Sequence, residues 1–240
     1  MKFLQTVKNN IPNTITCLNL VSGSLAIIMA FRYSQSCGCP LTGRDMAFLL
    51  IAAAAVFDFC DGLCARLLHA YSDLGKELDS LADLISFGLA PAALIHNAIL
   101  HFEGPEAFAI SLLPIFIAVM AAVRLARFNI DTRQTTSFIG LPVPANAIFW
   151  IGLCAWMHSY TYISSHILMA VIIIGVSYLM VSPIHLFSLK FKNLSFRENA
   201  YRYFLIAGAV LFVVSYGLSG LLWTIALYIM ISVVCRKYIF

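Results

Sequence analysis

The sequence predicts an all-α, polytopic membrane protein, and two properties of the chain support that prediction. Of its 240 residues, 61% are hydrophobic and only 11% are charged, and the mean hydropathy is +0.90. Soluble domains carry about 25% charged residues, so this composition argues against a water-soluble globule. Apolar stretches also recur at the length of about 20 residues that a membrane-spanning helix needs. We therefore expect a helical bundle forming one membrane domain over residues 1–240.

Eight apolar stretches are candidates for membrane-spanning helices. A short interfacial segment, residues 1–12, is expected to precede them and to end at Pro12. The predicted spans cover residues 14–33, 46–67, 76–100, 106–127, 142–161, 164–182, 201–217 and 219–235. Six of these helices would form a catalytic core over about 11–182. The last two would be an added C-terminal helix pair over about 201–235, joined by a very tight link.

The basic residues predict how these spans are oriented. Cytosolic loops of membrane proteins are enriched in Lys and Arg. Only Arg32 and Arg44 fall on one side of the predicted spans. Thirteen fall on the other side: Lys2, Lys8, Arg66, Lys76, Arg124, Arg127, Arg133, Lys190, Lys192, Arg197, Arg202, Arg236 and Lys237. This asymmetry predicts a multi-pass protein of the cell (inner or plasma) membrane with both termini in the cytosol. The net charge of +4 then reflects topology and does not indicate nucleic-acid binding.

An acidic cluster on the predicted second and third spans is the strongest indication of function. Six of the eleven acidic residues lie between positions 58 and 83. Ionisable groups are costly within a membrane, so such a cluster predicts a functional site. On a helix, Asp58 shares one face with Asp61, Gly62 and Ala65, because these follow it by three, four and seven residues. The two small residues leave space beside the carboxylates.

A second helix repeats this design after a short polar turn at residues 67–74. Gly75, Asp79 and Asp83 follow one another at intervals of four residues, so two acids again lie beside a glycine. Gly75 also leaves room for a ligand to approach the backbone. A turn this short would make the two helices antiparallel neighbours. We therefore expect four carboxylates to face one another near the cytosolic side.

The chemistry of these groups points to divalent metal ions. Four unneutralised carboxylates at close quarters would repel one another strongly. Oxygen ligands suit hard ions such as Mg²⁺ or Mn²⁺, whereas Cys60 and Cys64 are expected to pack inside their helix and not to bind zinc. Arg66 suits a phosphate group through its planar fork. Together these groups predict phosphoryl transfer with two metal ions roughly 3.5–4 Å apart.

The same residues carry a family resemblance. From position 58 to position 83 the chain reads D-x-x-D-G-x-x-A-R, eight residues, then G-x-x-x-D-x-x-x-D. This run matches the signature of the CDP-alcohol phosphotransferases at every fixed position, and the chain resembles that family. The resemblance implies an integral membrane enzyme, expected to be a homodimer, that moves a phosphatidyl group from a CDP-linked lipid to an alcohol and releases CMP.

The resemblance also implies roles for individual residues. The first three acids of the signature would bind the metal ions: Asp58, Asp61 and Asp79. The fourth, Asp83, would contact the second ion and act as general base on the acceptor hydroxyl. Three residues would contact the CDP moiety: Gly62, Arg66 and Ser72. We expect the small residues Ala65 and Gly75 to contact the CDP-linked lipid beside them.

The start of the first span allows two interpretations. Asn13 and Thr14 can cap a helix whose beginning is set by Pro12. Alternatively, Asn13 and Thr16 lie about one turn apart and face the nucleotide, as the first helix of the family does. Both interpretations can hold at once.

The end of the fourth span also allows two interpretations. Arg124 and Arg127 can extend toward lipid headgroups, as cytosolic arginines often do. With an interval of three residues they can instead face the acidic pocket, where two guanidinium groups suit a carboxylate or a phosphate.

Four sequence blocks together resemble the bacterial and archaeal phosphatidylserine synthases. They are the Pro-Asn-x-x-Thr start of the first span and the blocks at 78–91, 124–129 and 140–145. This resemblance implies CDP-diacylglycerol and L-serine as substrates. Serine is a zwitterion, so its carboxylate needs a cation and its ammonium needs an acceptor. Arg124 or Arg127 can supply the first, and Asn129 or Asp131 the second.

Two alternatives stay open at this point. The same chemistry can serve another acceptor, such as glycerol phosphate, inositol phosphate or a different alcohol. In another class of function, the acids can line a path for divalent-cation transport, which would require carboxylates reachable from both sides of the membrane.

Overall fold

The computed structural model describes residues 2–38, 40–102, 104–131, 137–160, 165–189, 193 and 195–235, with backbone only for 2–9 and 137. The helices are α1 (Lys2–Phe31), α2 (Gly43–Leu68), α3 (Asp73–Asp83), α4 (Ala90–Ile99), α5 (Ala107–Ser111), α6 (Ile115–Ile130), α7 (Val143–Tyr160), α8 (His166–Leu179), α9 (Phe196–Tyr216) and α10 (Gly220–Val234). A π-helical segment, Leu84–Leu89, joins α3 to α4, and a 3-10 turn, Gly217–Ser219, joins α9 to α10. The strands are β1 (Ser137–Ile139) and β2 (His185–Phe187).

The described part of the chain confirms the all-α, polytopic membrane fold. Five helical stretches are long and apolar enough to cross a membrane: Asn10–Phe31, Gly43–Leu68, Asp73–Ile99, Ala107–Ile130 and Phe196–Val234. The last of these contains two helices, α9 and α10, which pack against each other. The α8 helix is apolar but has only 14 residues. The number of eight crossings therefore stays a prediction.

The predicted orientation rests partly on residues that lie outside the described chain. These are Arg133, Lys190, Lys192, Arg236 and Lys237. The side chains of Lys2 and Lys8 are likewise not described.

The predicted break at Pro12 is wrong. The α1 helix begins at Lys2 and continues through Pro12 to Phe31, so Asn13 and Thr14 lie within a helix and do not cap one. A proline within a helix removes one backbone hydrogen bond, the one that its missing N–H would have donated to the carbonyl oxygen four residues earlier. Near the proline, the Thr14 hydroxyl donates to the carbonyl oxygen of Asn10 at 3.0 Å, and Thr16 Oγ1 lies 3.0 Å from the carbonyl oxygen of Pro12.

Small residues allow α1 and α2 to pack along their length. Ala26 and Ala30 of α1, and Ala47 and Ala54 of α2, are fully buried. Helices in a membrane associate through such close contacts, because lipid tails compete for larger apolar side chains. The α1 helix also packs against α3, the π-helical segment and α4. It thereby contacts both helices that carry the acidic cluster.

The two strands form a small antiparallel ribbon that the sequence did not predict. Phe138 pairs with Leu186, and Ile139 pairs with His185. Strands of three residues are too short for an alternating pattern to be recognised. Gly140 follows β1 with φ +78°, and a Cβ there would collide with the carbonyl oxygen of Met180. The ribbon therefore depends on this glycine.

Candidate active site

Three of the four predicted metal ligands lie together in the structure. One carboxylate oxygen each of Asp58, Asp61 and Asp79 lies within 4.8 Å of the other two. Asp58 and Asp61 lie about one turn apart on α2, and Asp79 comes from α3. Asp61 is only 6% exposed, and the other two are partly buried. The helical spacing of the acids thus produces one compact all-oxygen cluster.

The fourth acid, Asp83, is the last residue of α3 and is contacted by α1. The Asn19 side chain donates from Nδ2 to Asp83 Oδ1 at 3.4 Å. Asp83 also interacts electrostatically with Asp58, Asp61 and Asp79, although it lies outside the compact group of three. The backbone changes to a π-helix directly after Asp83. Such segments occur frequently at functional sites.

The α1 helix forms the third wall of the site. The Thr16 hydroxyl donates to Asp61 Oδ2 at 2.6 Å, and Thr16 is buried. Asn13 lies on the same helix beside Gly75, where a Cβ would be 2.8 Å from Asn13 Oδ1. The two residues predicted to face the nucleotide therefore both contact the signature region. Gly75 allows this close approach of α1 to α3.

The turn between α2 and α3 is held by backbone and side-chain caps. His69 ends α2 in the left-handed conformation, with φ 51°. The Ser72 hydroxyl accepts a hydrogen bond from the Gly75 backbone N–H at 3.0 Å and so caps α3. The predicted polar turn is present but shorter than predicted, at residues 69–72, and it places Ser72 at the edge of the site.

A cavity of about 550 Å³ opens beside the acidic cluster. Six of the seven residues predicted to bind the CDP-lipid line it: Thr16, Gly62, Ala65, Arg66, Ser72 and Gly75. Asp61 and Asp79 form part of its wall as well. A Cβ at Gly62 would meet no atom within 4 Å, so the backbone there is accessible. Arg66 is exposed and can present its guanidinium group to an anionic ligand.

Residues that the sequence reasoning did not select also belong to the site. Tyr71, Lys76 and Phe128 line the cavity. Asn19 is fully buried, and its Oδ1 has no hydrogen-bond partner in the described chain. An asparagine within an apolar membrane helix, about one turn after Thr16, is the sequence signal that could have identified this residue.

The two arginines at the end of α6 lie in different environments. Arg124 is only 5% exposed, and its guanidinium carbon lies 5.1 Å from the centre of the Phe128 ring. Its Nε has no hydrogen-bond partner among the described residues, and it interacts electrostatically with Asp131. Arg127 is exposed and donates from Nη1 to the carbonyl oxygen of Val181 at 3.1 Å. Of these two arginines, Arg124 is therefore the one that offers a buried cation with an unpaired donor.

A cyclic set of three hydrogen bonds joins α6 to α3, and we call it the α3–α6 clasp. Lys76 Nζ donates to the carbonyl oxygen of Asn129 at 3.0 Å. Asn129 Nδ2 donates to the Ser80 hydroxyl at 2.9 Å, which in turn donates to the carbonyl oxygen of Lys76 at 3.2 Å. Asn129 was predicted to accept a hydrogen bond from an ammonium group. In the structure its amide nitrogen donates to Ser80 within the protein.

The acidic cluster fits a hard divalent cation. Its three close ligand atoms are all carboxylate oxygens, the donors that such ions prefer. The buried Oδ1 of Asp79 has no hydrogen-bond partner in the described chain. A buried charged oxygen without a partner is costly, and a cation held by Asp58, Asp61 and Asp79 would remove that cost.

The helical membrane bundle and the acidic signature together define a class of membrane enzyme. Residues 9–181 match a family model described as CDP-alcohol phosphatidyltransferase. The chain belongs to the CDP-alcohol phosphatidyltransferase family and is a transferase.

Three relatives share substantial identity with the chain, and each is named CDP-diacylglycerol–serine O-phosphatidyltransferase. The protein from Bacillus subtilis (strain 168) is 37% identical over 176 residues, which cover 73% of this chain and 89% of the relative. That from Methanocaldococcus jannaschii is 35% identical over 174 residues, covering 72% of each. That from Helicobacter pylori (strain 26695) is 34% identical over 180 residues, covering 72% of this chain and 70% of the relative.

Proposed function

We propose that the protein transfers the phosphatidyl group of CDP-diacylglycerol to the hydroxyl of L-serine, producing phosphatidylserine and CMP. One observation carries this proposal: three carboxylates within 4.8 Å of one another adjoin a cavity lined by the signature residues. The family membership supports the CDP-linked donor, and the names of the three relatives support serine as the acceptor.

The donor would occupy the cavity between α1, α2 and α3. Arg66 lies on the cavity wall and suits the pyrophosphate through paired N–H donors. Lys76 supplies a second cation on the same wall. Seven residues are proposed to contact the CDP-lipid: Asn13, Thr16, Gly62, Ala65, Arg66, Ser72 and Gly75. The diacyl tails would remain in the bilayer.

Four acids are proposed as the metal-binding residues: Asp58, Asp61, Asp79 and Asp83. Bound there, two divalent ions, Mg²⁺ or Mn²⁺, would supply neutralisation of the negative charge on the pyrophosphate and on the departing CMP.

Asp83 is the proposed general base. It accepts the proton of the serine hydroxyl, whose oxygen then forms a bond to the phosphorus on the lipid side. The bond from this phosphorus to the bridging oxygen breaks in line with the attack, and that oxygen leaves as part of CMP. The hydrogen bond from Asn19 supports this role, because it fixes the orientation of the Asp83 carboxyl group.

The acceptor pocket is proposed to lie at the end of α6. Arg124 can bind the serine carboxylate, since its guanidinium group is buried with Nε unpaired. Asp131 interacts electrostatically with Arg124 and can accept from the ammonium group. Arg127 donates to the carbonyl oxygen of Val181, so Arg124 is the favoured cation of the two. Asn129 and Asp131 both stay proposed acceptors for the ammonium group.

The wider arrangement of the protein is also a proposal. We place it in the cell membrane with both termini and the active site in the cytosol, on the asymmetry of Lys and Arg. The catalytic core would span about 11–182, with the helix pair at about 201–235 added to it. A homodimer is expected from the family resemblance.

The decisive experiment measures the products of the purified protein. It would be incubated with CDP-diacylglycerol and Mn²⁺, and with L-serine, glycerol phosphate or inositol phosphate in separate reactions. We expect CMP and phosphatidylserine with serine only. A lipid product formed with another alcohol instead of serine would identify that alcohol as the acceptor. Metal flux into vesicles without CMP release would instead support a cation transporter.

A further inference from the structure

The C-terminal hairpin, α9 and α10, has no role in the proposed chemistry. It lies beyond residues 9–181, which match the family model. Its α10 helix packs on α7, where the backbone of Leu222 leaves no room for a Cβ at Gly152. It also contacts residues 179–188, which run from the last residue of α8 toward α9 and which we call the bridge segment.

Two side chains of the hairpin bind the backbone of the bridge segment. The Tyr228 hydroxyl donates to the carbonyl oxygen of Phe187 at 2.8 Å, and the two rings meet edge to face at 5.0 Å. Arg202 Nε donates to the carbonyl oxygen of Ser188 at 3.0 Å. Tyr228 is buried, so its hydroxyl satisfies a backbone acceptor that has little access to water.

On its other side the bridge segment binds residues that follow α6. Its strand β2 pairs with β1. Beyond the ribbon, the Gly140 N–H donates to the carbonyl oxygen of Ile184 at 2.8 Å, and the Leu141 N–H donates to that of Leu179 at 2.9 Å. A pair of three-residue strands is not stable alone and needs packing from another element. The hairpin supplies that packing.

The bridge segment also binds the end of α6 directly. Arg127 Nη1 donates to the carbonyl oxygen of Val181 at 3.1 Å. The next residue, Phe128, lines the catalytic cavity, and Asn129 joins the α3–α6 clasp. A continuous series of contacts therefore runs from Tyr228, through the bridge segment and the end of α6, to the cavity wall.

We propose that the α9–α10 hairpin braces the acceptor side of the active site, with Tyr228 as its positioning residue. Tyr228 touches no reacting group; it acts by holding the bridge segment, which holds the end of α6. This inference rests on the proposed function, since it assigns the acceptor alcohol to the end of α6. It predicts that loosening the brace weakens use of the alcohol more than binding of the donor, because most of the donor cavity is lined by α1, α2 and α3.

The test compares Tyr228→Phe with Tyr178→Phe, which removes an exposed hydroxyl from α8. Tyr228→Phe keeps the ring and loses only the hydrogen bond to Phe187. Hydrogen–deuterium exchange would be followed at the Gly140 and Leu141 amides of the full-length protein without substrates. We expect about 3- to 10-fold faster exchange at these amides, the change that loss of one net hydrogen bond implies. We expect no change in Tyr178→Phe.

A second measurement separates positioning from general loss of structure. The KM for the alcohol should rise severalfold in Tyr228→Phe, while the affinity for CDP-diacylglycerol stays within twofold of the unaltered protein. Arg202→Gln should act in the same direction. Unchanged exchange at the Gly140 and Leu141 amides, or equal weakening of alcohol use and CDP-lipid binding, would overturn the proposal. If the proposed function is wrong, the unaltered protein will release no CMP. The exchange measurement does not need substrates, so it would still test whether the hairpin holds the bridge segment.

Discussion

Replacing Thr16 with valine tests whether α1 takes part in metal binding. The Thr16 hydroxyl donates to Asp61 Oδ2 at 2.6 Å in a buried position. Valine keeps the β-branched shape and removes only the donor. A hydrogen bond to a charged group contributes about 1.5–3 kcal/mol, or roughly 10- to 150-fold in an equilibrium constant. Losing a partner that orients a metal ligand typically costs about 10- to 100-fold in metal affinity or activity.

The assay is the Mn²⁺ concentration that gives half-maximal CMP release by the purified protein. We expect this concentration to rise about 10- to 100-fold in Thr16→Val. Thr14→Val is the matched control, because the Thr14 hydroxyl donates only to the carbonyl oxygen of Asn10 in its own helix. Thr16 Oγ1 also lies 3.0 Å from the carbonyl oxygen of Pro12, as Thr14 Oγ1 does from that of Asn10, so comparing the two variants isolates the contact with Asp61. Equal metal dependence in both variants would refute the reasoning.

Three further substitutions probe the base and the nucleotide site. Asp83→Asn should retain CDP-lipid binding and stop CMP release. The control Asp73→Asn, on the exposed first turn of α3, should remain active. Full turnover by Asp83→Asn would overturn the base assignment. Asn19→Leu removes the donor to Asp83 and should lower kcat about tenfold with donor affinity retained; an unchanged kcat would argue against positioning by Asn19. Gly75→Ala places a Cβ 2.8 Å from Asn13 Oδ1. Such overpacking costs about 1–3 kcal/mol, so the variant should bind the CDP-lipid measurably more weakly. Unaltered affinity would show that Asn13 can move without loss of binding.

Local spacing was sufficient to predict the part of the site that lies on two neighbouring helices. Asp58 and Asp61 are one turn apart, and a short turn brings Asp79 back beside them, so a helical pattern already implies the cluster. Ser72 is likewise a local feature, because a serine three residues before Gly75 is a typical helix cap.

Contacts between distant parts of the chain could not be derived in this way. The bond from Thr16 to Asp61 and that from Asn19 to Asp83 depend on how α1 packs against α2 and α3. No periodic pattern gives the rotation of one helix against another, so Asn19 was overlooked. Pro12 is a different case, because a proline usually marks a helix boundary but α1 continues through this one.

The end of α6 shows a second limit of sequence reasoning. Arg124 and Arg127 are three residues apart and would share a face on an isolated helix. In the structure the carbonyl oxygen of Val181 binds Arg127, while Arg124 is buried over Phe128. The segment that supplies Val181 comes from beyond α8, and its position depends on the β1–β2 ribbon and on the C-terminal hairpin.

Locating bound Mn²⁺ by anomalous X-ray scattering, in crystals of the protein with the ion, tests the central claim most directly. The account predicts a peak between Asp58, Asp61 and Asp79, at roughly 2.0–2.2 Å from a carboxylate oxygen of each, as hard divalent ions require. No peak at the acidic cluster, or acidic side chains directed away from one another into the lipid, would contradict it.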